Sequence, residues 1–311
     1  DLVYTWVNGQ DINWQKRKHM WQTKERKVGS TSIDPHRFQN LNELKYSLRS
    51  VEKFASFIRK IFIVTDQQIP KWFNSKAQNI EIIDHRQIFP DPQEKYLPCF
   101  NSIGIEINLH RIPGLSEHFI YLNDDLFFGR PVKIRDFIDS SGRTKVFLRS
   151  KRIPHRKPKN FMVYDHRDSI WLSHLFLNQY VKTTSKPRRA VKHVGYMMRK
   201  SILQEIEELL RKTTNKNGEN YFDLTCTRFR RSININLIPF FYPHYCLAKG
   251  YSVEDPDIKC YSVSIDHDEY LKKIWLRKPH IYCLNSLPAK TVAIKKFWKK
   301  YYPEKSKYEL D

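Results

Sequence analysis

Short apolar runs that end in polar residues recur along the first 125 positions. Such runs, rich in β-branched and aromatic residues, predict buried strands. The runs are Leu2–Val7, Ile61–Thr65, Ile80–Ile83 and Phe119–Leu122. The first stops at Asn8 and Gly9, a strong turn signal, and the last leads directly into Asp124 and Asp125. We therefore expect polar side chains at the carboxyl end of each strand.

Apolar positions at three- and four-residue steps separate the first two strands. From Leu41 to Ile58 this spacing predicts an amphipathic helix, with Asn40 as its N-cap and Glu43 three residues further on. A strand, a helix and further strands describe a βαβ arrangement, which favours a mostly parallel sheet flanked by helices. In such sheets the ligand lies outside the carboxyl ends of the strands.

The pattern changes beyond residue 130. Later helices are predicted over Asp168–Tyr180, Ser201–Leu210 and Ala293–Tyr302. We expect three parts: an α/β core over 1–138 and 215–290, a basic helical insertion over 139–214, and a basic aromatic C-terminal helix over 291–311.

Positive charge is concentrated in two segments. The 311 residues carry 55 Lys and Arg against 33 Asp and Glu, a net charge of +22, and residues 151–200 and 271–311 hold +19 of it. Two basic regions on a nearly neutral body favour a polyanionic partner: nucleic acid, anionic lipid or an anionic polymer. The alternative is a solvated basic surface that only confers solubility.

Composition excludes several classes of protein. With 40% apolar residues the chain can bury a core, so wholesale disorder is excluded. No apolar run approaches the roughly 20 residues that a membrane span needs. Five cysteines without a C-x-x-C pair predict neither a zinc ribbon nor a disulfide framework, and favour a reducing compartment.

The acid pair Asp124 and Asp125 follows a predicted buried strand. Two adjacent carboxylates there are unfavourable unless they are solvated, paired or bound to a cation. One interpretation is a divalent metal that carries a diphosphate. In the other, Asp124 caps a turn and Asp125 caps a following helix, and the local sequence favours neither.

Several long segments resemble the Stealth family. DLVYTWVNG (1–9), NELKYSLRSVEKFASFIRKIFIVTDQQIPKW (42–72) and LHRIPGLSEHFIYLNDDLFFGRPV (109–132) resemble its first two regions. VKHVGYMMRK (191–200) with TRFRRSININ (227–236), and RKPHIYCLNS (277–286) with FWKKYYPEKSKYE (297–309), resemble its third and fourth. The resemblance covers almost the whole chain. The family includes bacterial capsule polymerases and the animal N-acetylglucosamine-1-phosphotransferase.

The resemblance implies a reaction and its partners. Hexosamine-1-phosphate, with N-acetylglucosamine as the expected sugar, would pass from a UDP-N-acetylhexosamine to a hydroxyl of a growing capsular polysaccharide, releasing UMP. The implied fold is Rossmann-like (GT-A-like), the cofactor Mg²⁺ or Mn²⁺, and the acceptor an anionic sugar-phosphate polymer. The implied location is the bacterial cytoplasm, at the inner face of the cytoplasmic membrane, and nucleic acid is not expected as a partner.

The resemblance also implies a base and phosphate ligands. His193 falls where the third region has its functional histidine, and His110 is the second choice. Arg230 matches the arginine of the third region, while Arg49 and Arg111 lie in the second. A guanidinium can hold two phosphate oxygens at once. For Arg49, an ion pair on its own helix is an equal alternative.

Metal ligands are implied in two regions, and a polar contact to the substrate in another. With the resemblance, the metal interpretation of Asp124 and Asp125 becomes the favoured one, and Asp125 is also expected to act in catalysis. Asp1 falls at the aspartate of the first region, and Asn285 in the fourth region is expected to add a polar contact to the substrate.

The loop after the first strand is the expected uridine site. Its residues are Trp6, Val7, Asn8 and Gly9. Gly9 permits close backbone approach, and the amide of Asn8 can pair with the edge of a base.

Two other functions remain open. A conventional glycosyltransferase would use Asp124 and Asp125 as its metal motif and release UDP, whereas a nucleic-acid-binding protein would explain the charge alone. The basic segments can bind a sugar-phosphate chain by counterion release or attach to a membrane surface. The aromatic residues Trp298, Tyr301 and Tyr302 fit both uses.

Overall fold

The computed structural model describes the chain in six stretches: residues 1–25, 28–153, 166–181, 188–264, 268–285 and 291–310. Its strands are β1 (Leu2–Thr5), β2 (Ile61–Thr65), β3 (Ile80–Asp84), β4 (His118–Asn123), β5 (Leu126–Phe128), β6 (Thr144–Val146), β7 (Leu148–Arg152), β8 (Arg189–Val191), β9 (Tyr196–Arg199), β10 (Ser252–Glu254), β11 (Cys260–Ser264) and β12 (Ile281–Asn285). Its α-helices are α1 (Ile12–Lys24), α2 (Ser30–Ile33), α3 (Glu43–Phe54), α4 (Ser102–Glu106), α5 (His166–Tyr180), α6 (Lys200–Lys212), α7 (Tyr221–Thr225), α8 (Tyr242–Lys249), α9 (Asp268–Arg277) and α10 (Thr291–Tyr301).

The main sheet has the strand order β3-β2-β1-β4-β9. Its first four strands are parallel, and β9 pairs antiparallel with β4 at one edge. All five residues of β2 are buried, as is typical of a parallel strand covered on both faces. Because α3 connects β1 to β2, the predicted βαβ arrangement is present. The predicted α/β class, with a mostly parallel sheet flanked by helices, is confirmed.

The start of α3 differs from its prediction. The helix begins at Glu43, and its N-cap is Asn42 rather than Asn40. Asn42 adopts a left-handed backbone with φ 70°, a conformation that asparagine tolerates better than most residues. The buried Glu43 side chain turns back and accepts the Leu41 N–H at 2.5 Å. Glu43 therefore bonds to the backbone before the helix, but it is the first helical residue rather than the third, and the helix starts two residues later than expected.

A second, three-stranded sheet with the order β11-β12-β5 lies after the acid pair. β12 is parallel to β11 and antiparallel to β5. The Leu284 N–H donates to the carbonyl of Asp125 at 3.0 Å. This sheet therefore joins the C-terminal part of the chain to the segment that carries Asp124 and Asp125.

The predicted basic aromatic helix is present as α10, but its aromatic residues belong to the core. Trp298 is fully buried and stacks on Tyr46, with ring centroids 5.2 Å apart. The Tyr302 hydroxyl donates to the carbonyl of Phe128 at 2.6 Å, and Tyr301 is also buried. The expectation that these three aromatic residues contact sugars or lipid headgroups is therefore wrong.

The range 139–214, predicted as an insertion, contributes β9 to the main sheet and α6 to its packing. The apolar positions Ile202, Ile206 and Leu210 of α6 are buried, as the amphipathic spacing predicts. The division into a core, an insertion and a C-terminal helix stays a prediction. None of the helices within the described ranges has the length and apolar character needed to cross a membrane.

Candidate active site

A cavity of about 160 Å³ lies at the carboxyl ends of β1, β2 and β4. Trp6 and Val7 follow β1, Asp66 follows β2, and Asn123 and Asp124 stand at the end of β4. Because parallel strands end at the same edge of a sheet, residues far apart in sequence line one space here. Trp6 and Val7 thus lie where the sequence places the uridine loop.

Asn8 and Gly9 are not among the described lining residues of this cavity. The Asn8 backbone exchanges two hydrogen bonds with the Gln68 side chain, at 2.9 and 3.0 Å. A Cβ on Gly9 would lie only 2.2 Å from the carbonyl oxygen of Phe38. The glycine is therefore required by the approach of Phe38, and its contact with a nucleotide stays a prediction.

Asp125 follows the lining residue Asp124 and lies beside His193, whose Nε2 is 3.9 Å from Asp125 Oδ1. Their side chains are 21% and 34% exposed, so both can be reached from solvent. The Cys283 thiol donates to Asp125 Oδ2 at 3.3 Å, whereas Oδ1 has no hydrogen-bond partner among the described residues. Residues 125, 193 and 283 come from three separate segments of the chain.

The pKa values of this pair shift in opposite directions. Burial favours the neutral form of each group, but their mutual attraction outweighs it. The pKa of His193 is raised and that of Asp125 is lowered. The hydrogen bond that the Cys283 thiol donates also helps to lower the pKa of Asp125. The charged form of each side chain therefore stabilises the charged form of the other.

Asp124 lines the cavity and has a pKa well above its usual value. Burial is the main cause, and the charges of Glu43 and Asp125 add to it. The segment after Asp125 is strand β5, so the alternative in which Asp125 caps a helix is wrong. A cation would relieve the repulsion among these carboxylates.

The donor groups at this place fit a divalent cation. The carboxylate oxygens of Asp124 and Asp125 are the ligands that Mg²⁺ and Mn²⁺ prefer, and the unpartnered Oδ1 of Asp125 is one such oxygen. Among the described residues, Asp125, His193 and Cys283 also offer ligand atoms that all lie within 4.8 Å of one another. A thiol suits a softer ion, so the two aspartates are the better fit for Mg²⁺.

Arg230 lines the same cavity, although it lies more than 100 residues after Asp124 in the chain. Its Nη2 donates to Ser102 Oγ at 2.5 Å. The neighbouring Arg231 instead pairs with Glu25 at 3.0 Å. Of the two adjacent arginines, the structure therefore directs Arg230 toward the site, as the sequence predicts.

Glu106 is a residue of the site that the sequence did not reveal. It ends α4, is only 4% exposed, and accepts a hydrogen bond from the Tyr121 hydroxyl at 3.4 Å. Burial raises its pKa to about 7, although the charge of Arg230 opposes the shift. Its charge also acts on His193. The one sequence feature that could have indicated this residue is a single glutamate between two isoleucines.

Three predicted residues lie in structural ion pairs and are not described lining residues of the cavity. Arg49 donates to both carboxylate oxygens of Glu309, at 2.6 and 2.7 Å. His110 lies 2.9 Å from Glu207 through Nε2 and 3.0 Å from a backbone carbonyl through Nδ1. Arg111 donates to the same Glu207. Both ring nitrogens of His110 are engaged, so this histidine cannot serve as the base.

The remaining predicted ligands lie elsewhere. Asp1 stands at the amino end of β1, where Arg59 and the Ser116 N–H bind its carboxylate at 2.8 Å. This is the edge of the sheet opposite the cavity, so the expectation that Asp1 is a metal ligand is wrong. Asn285 ends β12, and its side chain lies outside the part of the chain that the structure describes.

This geometry defines a class: an α/β enzyme whose acid pair, histidine and arginine converge at the carboxyl edge of a parallel sheet. Models described as Stealth protein CR1, conserved region 1, and Stealth protein CR2, conserved region 2, match residues 1–25 and 37–146. A capsular polysaccharide phosphotransferase of Haemophilus influenzae is 35% identical over 293 residues, which cover 92% of this chain and 77% of that protein. The chain therefore belongs to the Stealth family, and it is a transferase.

Two further relatives extend this result. A capsular polysaccharide phosphotransferase of Aeromonas hydrophila is 34% identical over 94% of this chain and 80% of its own length. An exopolysaccharide phosphotransferase of Streptomyces coelicolor is 32% identical over 99% of this chain. The chain spans 52% of the length of that protein.

Among solved structures, a galactosyltransferase in complex with donor and acceptor sugar analogs aligns over 98% of this chain and 96% of its own. The TM-score is 0.45 and the identity 10%, which is too low a similarity for residues to be compared.

Proposed function

We propose that the protein transfers N-acetylglucosamine-1-phosphate from the UDP-sugar to a hydroxyl of a growing capsular polysaccharide. The products are a phosphodiester and UMP. The observation that carries this proposal is the pairing of His193 with Asp125 directly after Asp124, which lines one cavity with Arg230 at the carboxyl edge of the main sheet. The names of the relatives, which are capsular and exopolysaccharide phosphotransferases, support it.

The cavity suits the uridine end of the donor. Trp6, Trp14 and Phe38 give it aromatic walls, and Arg37 and Gln39 add polar groups at the side. Aromatic walls combined with fixed polar groups can hold a flat base and orient it. Uracil held between these walls would direct the diphosphate toward Asp124 and Arg230.

The reaction assigns one task to each charged residue. Neutral His193 accepts the proton of the acceptor hydroxyl, and the oxygen attacks the sugar-proximal phosphorus. The bond from that phosphorus to the bridging oxygen breaks, and UMP leaves with the electron pair, while the anomeric C–O bond stays intact. Arg230 stabilises the negative charge on the phosphoryl oxygens. Asp125 orients the imidazole of His193.

Asp124 and Asp125 would hold the divalent cation, Mg²⁺ or Mn²⁺. When bound, it neutralises charge on the diphosphate. The neutral imidazole that the reaction needs is favoured once Asp125 shares its charge with such an ion.

Product analysis tests the proposal directly. The protein is incubated with UDP-N-acetylglucosamine, Mg²⁺ and a short acceptor, and the nucleotide and the new linkage are identified by chromatography and phosphorus NMR. UMP together with a phosphodiester is the expected result. UDP without a phosphodiester would instead establish a conventional glycosyltransferase.

A variant pair tests the role of the histidine. His193→Ala should abolish turnover and leave binding of the UDP-sugar within about twofold, because the base contacts the acceptor rather than the nucleotide. His19→Ala, at an exposed position of α1, is the matched control and should keep full activity. Weak donor binding with normal residual turnover would place the base elsewhere.

The proposed partners follow from this reaction. They are a UDP-N-acetylhexosamine and an anionic sugar-phosphate polymer. A location at the inner face of the bacterial cytoplasmic membrane stays a prediction.

A further inference from the structure

A basic cleft of about 580 Å³ lies beside the histidine. Its described lining consists of Lys192, Ile258, Lys259, Cys260, Tyr261 and Arg277. Three of these residues are cationic and none is acidic. We propose that this cleft binds the repeats of the anionic acceptor chain that precede its reacting end. This inference rests on the proposed function and adds the place where the acceptor polymer lies.

The cleft and the proposed base are carried by adjacent residues of the chain. Lys192 precedes His193 in the chain, and its ammonium group lies 3.3 Å from the carbonyl oxygen of Ile258. The charge of Arg149 acts on both His193 and Cys260, so this arginine lies near both of them. Positive potential therefore extends from the reacting end of an acceptor into the cleft.

The register of β11 and β12 gives the distance from the cleft to Cys283, which contacts Asp125. Cys260 begins β11 and lies two residues before Ser262, which pairs with Cys283 of β12. The Cys283 thiol in turn bonds to Asp125. At about 3.3 Å per residue, the cleft end of β11 lies roughly 7 Å along the strand from the level of Cys283. A chain whose terminal hydroxyl reaches His193 thus needs only a short extension to enter the cleft.

The cationic character of the cleft is not cancelled by its surroundings. Asp255, a carboxylate that the charge of Lys192 reaches, pairs with Lys145 at 2.7 Å. Among the described lining residues, the one aliphatic side chain, that of Ile258, is buried and does not protrude. Tyr261 is half-buried and offers a ring on which a sugar can stack. Cations beside one aromatic ring suit a polar, charged polymer better than a membrane.

Binding without turnover tests this inference. The probe is a fluorescent octamer of N-acetylglucosamine joined through phosphodiesters, and a neutral chitin octamer is the uncharged comparison. Replacing Lys192, Lys259 and Arg277 together by glutamine should weaken anisotropy-detected binding of the charged octamer roughly ten- to hundredfold at physiological salt. The logarithmic salt dependence should fall by roughly one for each lost phosphate contact.

Two further variants control the interpretation. The triple replacement of Lys71, Lys76 and Lys216 by glutamine removes the same charge from exposed positions elsewhere and should leave binding unchanged. Because Lys192 also contacts a backbone carbonyl, the double variant Lys259→Gln, Arg277→Gln provides a second test without that contact. It should show an intermediate loss.

Three results would overturn the inference. They are unchanged binding by the cleft variants, an equal loss in the control set, or equal affinity for the neutral octamer. A fourth result would be that a single-stranded DNA octamer binds as tightly and that the same substitutions abolish its binding. The cleft would then be a general polyanion site, and the inference would be overturned. Failure of the proposed function is distinct, because it appears as UDP release by the unaltered protein whatever the cleft binds.

Discussion

Replacing Glu309 by glutamine tests whether Arg49 belongs to the scaffold rather than to the active site. The Glu309 side chain is fully buried, and it accepts hydrogen bonds from Arg49, from the Ser306 N–H and from Lys45. Burial alone would raise the pKa of this carboxyl. These donors outweigh burial and hold the pKa at about 2 instead of the ordinary 4.5.

The pKa sets the expected magnitude. A carboxyl with a pKa of about 2 in the folded state and 4.5 in the unfolded state contributes about 3 kcal/mol to stability at pH 7. Because the folded pKa is the lower one, this contribution is present above pH 4.5 and disappears as the pH falls toward 2. Glu309→Gln should therefore be destabilised by about 3 kcal/mol at neutral pH, and the difference from the unaltered protein should shrink in acid.

Thermal unfolding followed by circular dichroism between pH 7 and pH 3 measures this difference. Glu304→Gln, at an exposed position of the same segment, is the control and should leave the unfolding temperature unchanged. A loss of stability that is equal at both ends of the pH range would refute the reasoning, because charge would then play no part. A large fall in kcat without a loss of stability would return Arg49 to the active site.

Three further predictions concern the site itself. Glu106→Gln should raise the unfolding temperature at pH 8 but not at pH 4. The reason is that a carboxyl whose pKa is raised to about 7 by folding destabilises the folded state only at pH values where the group would otherwise be ionised. An equal effect at both pH values would show that the charge of Glu106 is not responsible. Gly9→Ala should weaken donor binding measured by calorimetry, because its Cβ would force Phe38 out of the cavity wall; unchanged affinity would remove that wall from the uridine site. Chelation of divalent cations should abolish turnover and added Mg²⁺ restore it, whereas full activity in chelator would leave Asp124 and Asp125 without a metal role.

Much of the sheet could be predicted because its signals are local. Strand Ile61–Thr65 matches its predicted bounds, since a run of β-branched and aromatic residues between polar ends is stable mainly as a buried strand. The same pattern places Asp124 at the carboxyl edge. The buried ring of Trp298 was missed because α10 alternates aromatic and basic residues as a surface helix would. Only the packing of the second sheet determines which face is covered.

The site depended on contacts that no local pattern contains. Resemblance to a family singled out His193 and Arg230, since it compares whole segments; the structure puts His193 beside Asp125 and lines one cavity with Arg230 and Asp124. The resemblance also included Arg49, whose partner Glu309 lies 260 residues further along the chain. Glu106 was not predicted as a site residue, because the pKa of a glutamate is raised by burial only when distant segments of the chain cover it. Its pKa is a property of tertiary packing rather than of sequence spacing.

The backbone bond from Leu284 to Asp125 has a consequence for how the protein is made and recombined. During synthesis the main sheet can assemble from earlier segments, but the acid pair is fixed in place only after β12 has left the ribosome and paired with β5. The chain thus gains its catalytic geometry late. For the same reason, a hybrid built from two relatives should take β5 and β12 from one parent, because a mismatch between them would displace Asp125 without disturbing the sheet that carries the nucleotide cavity.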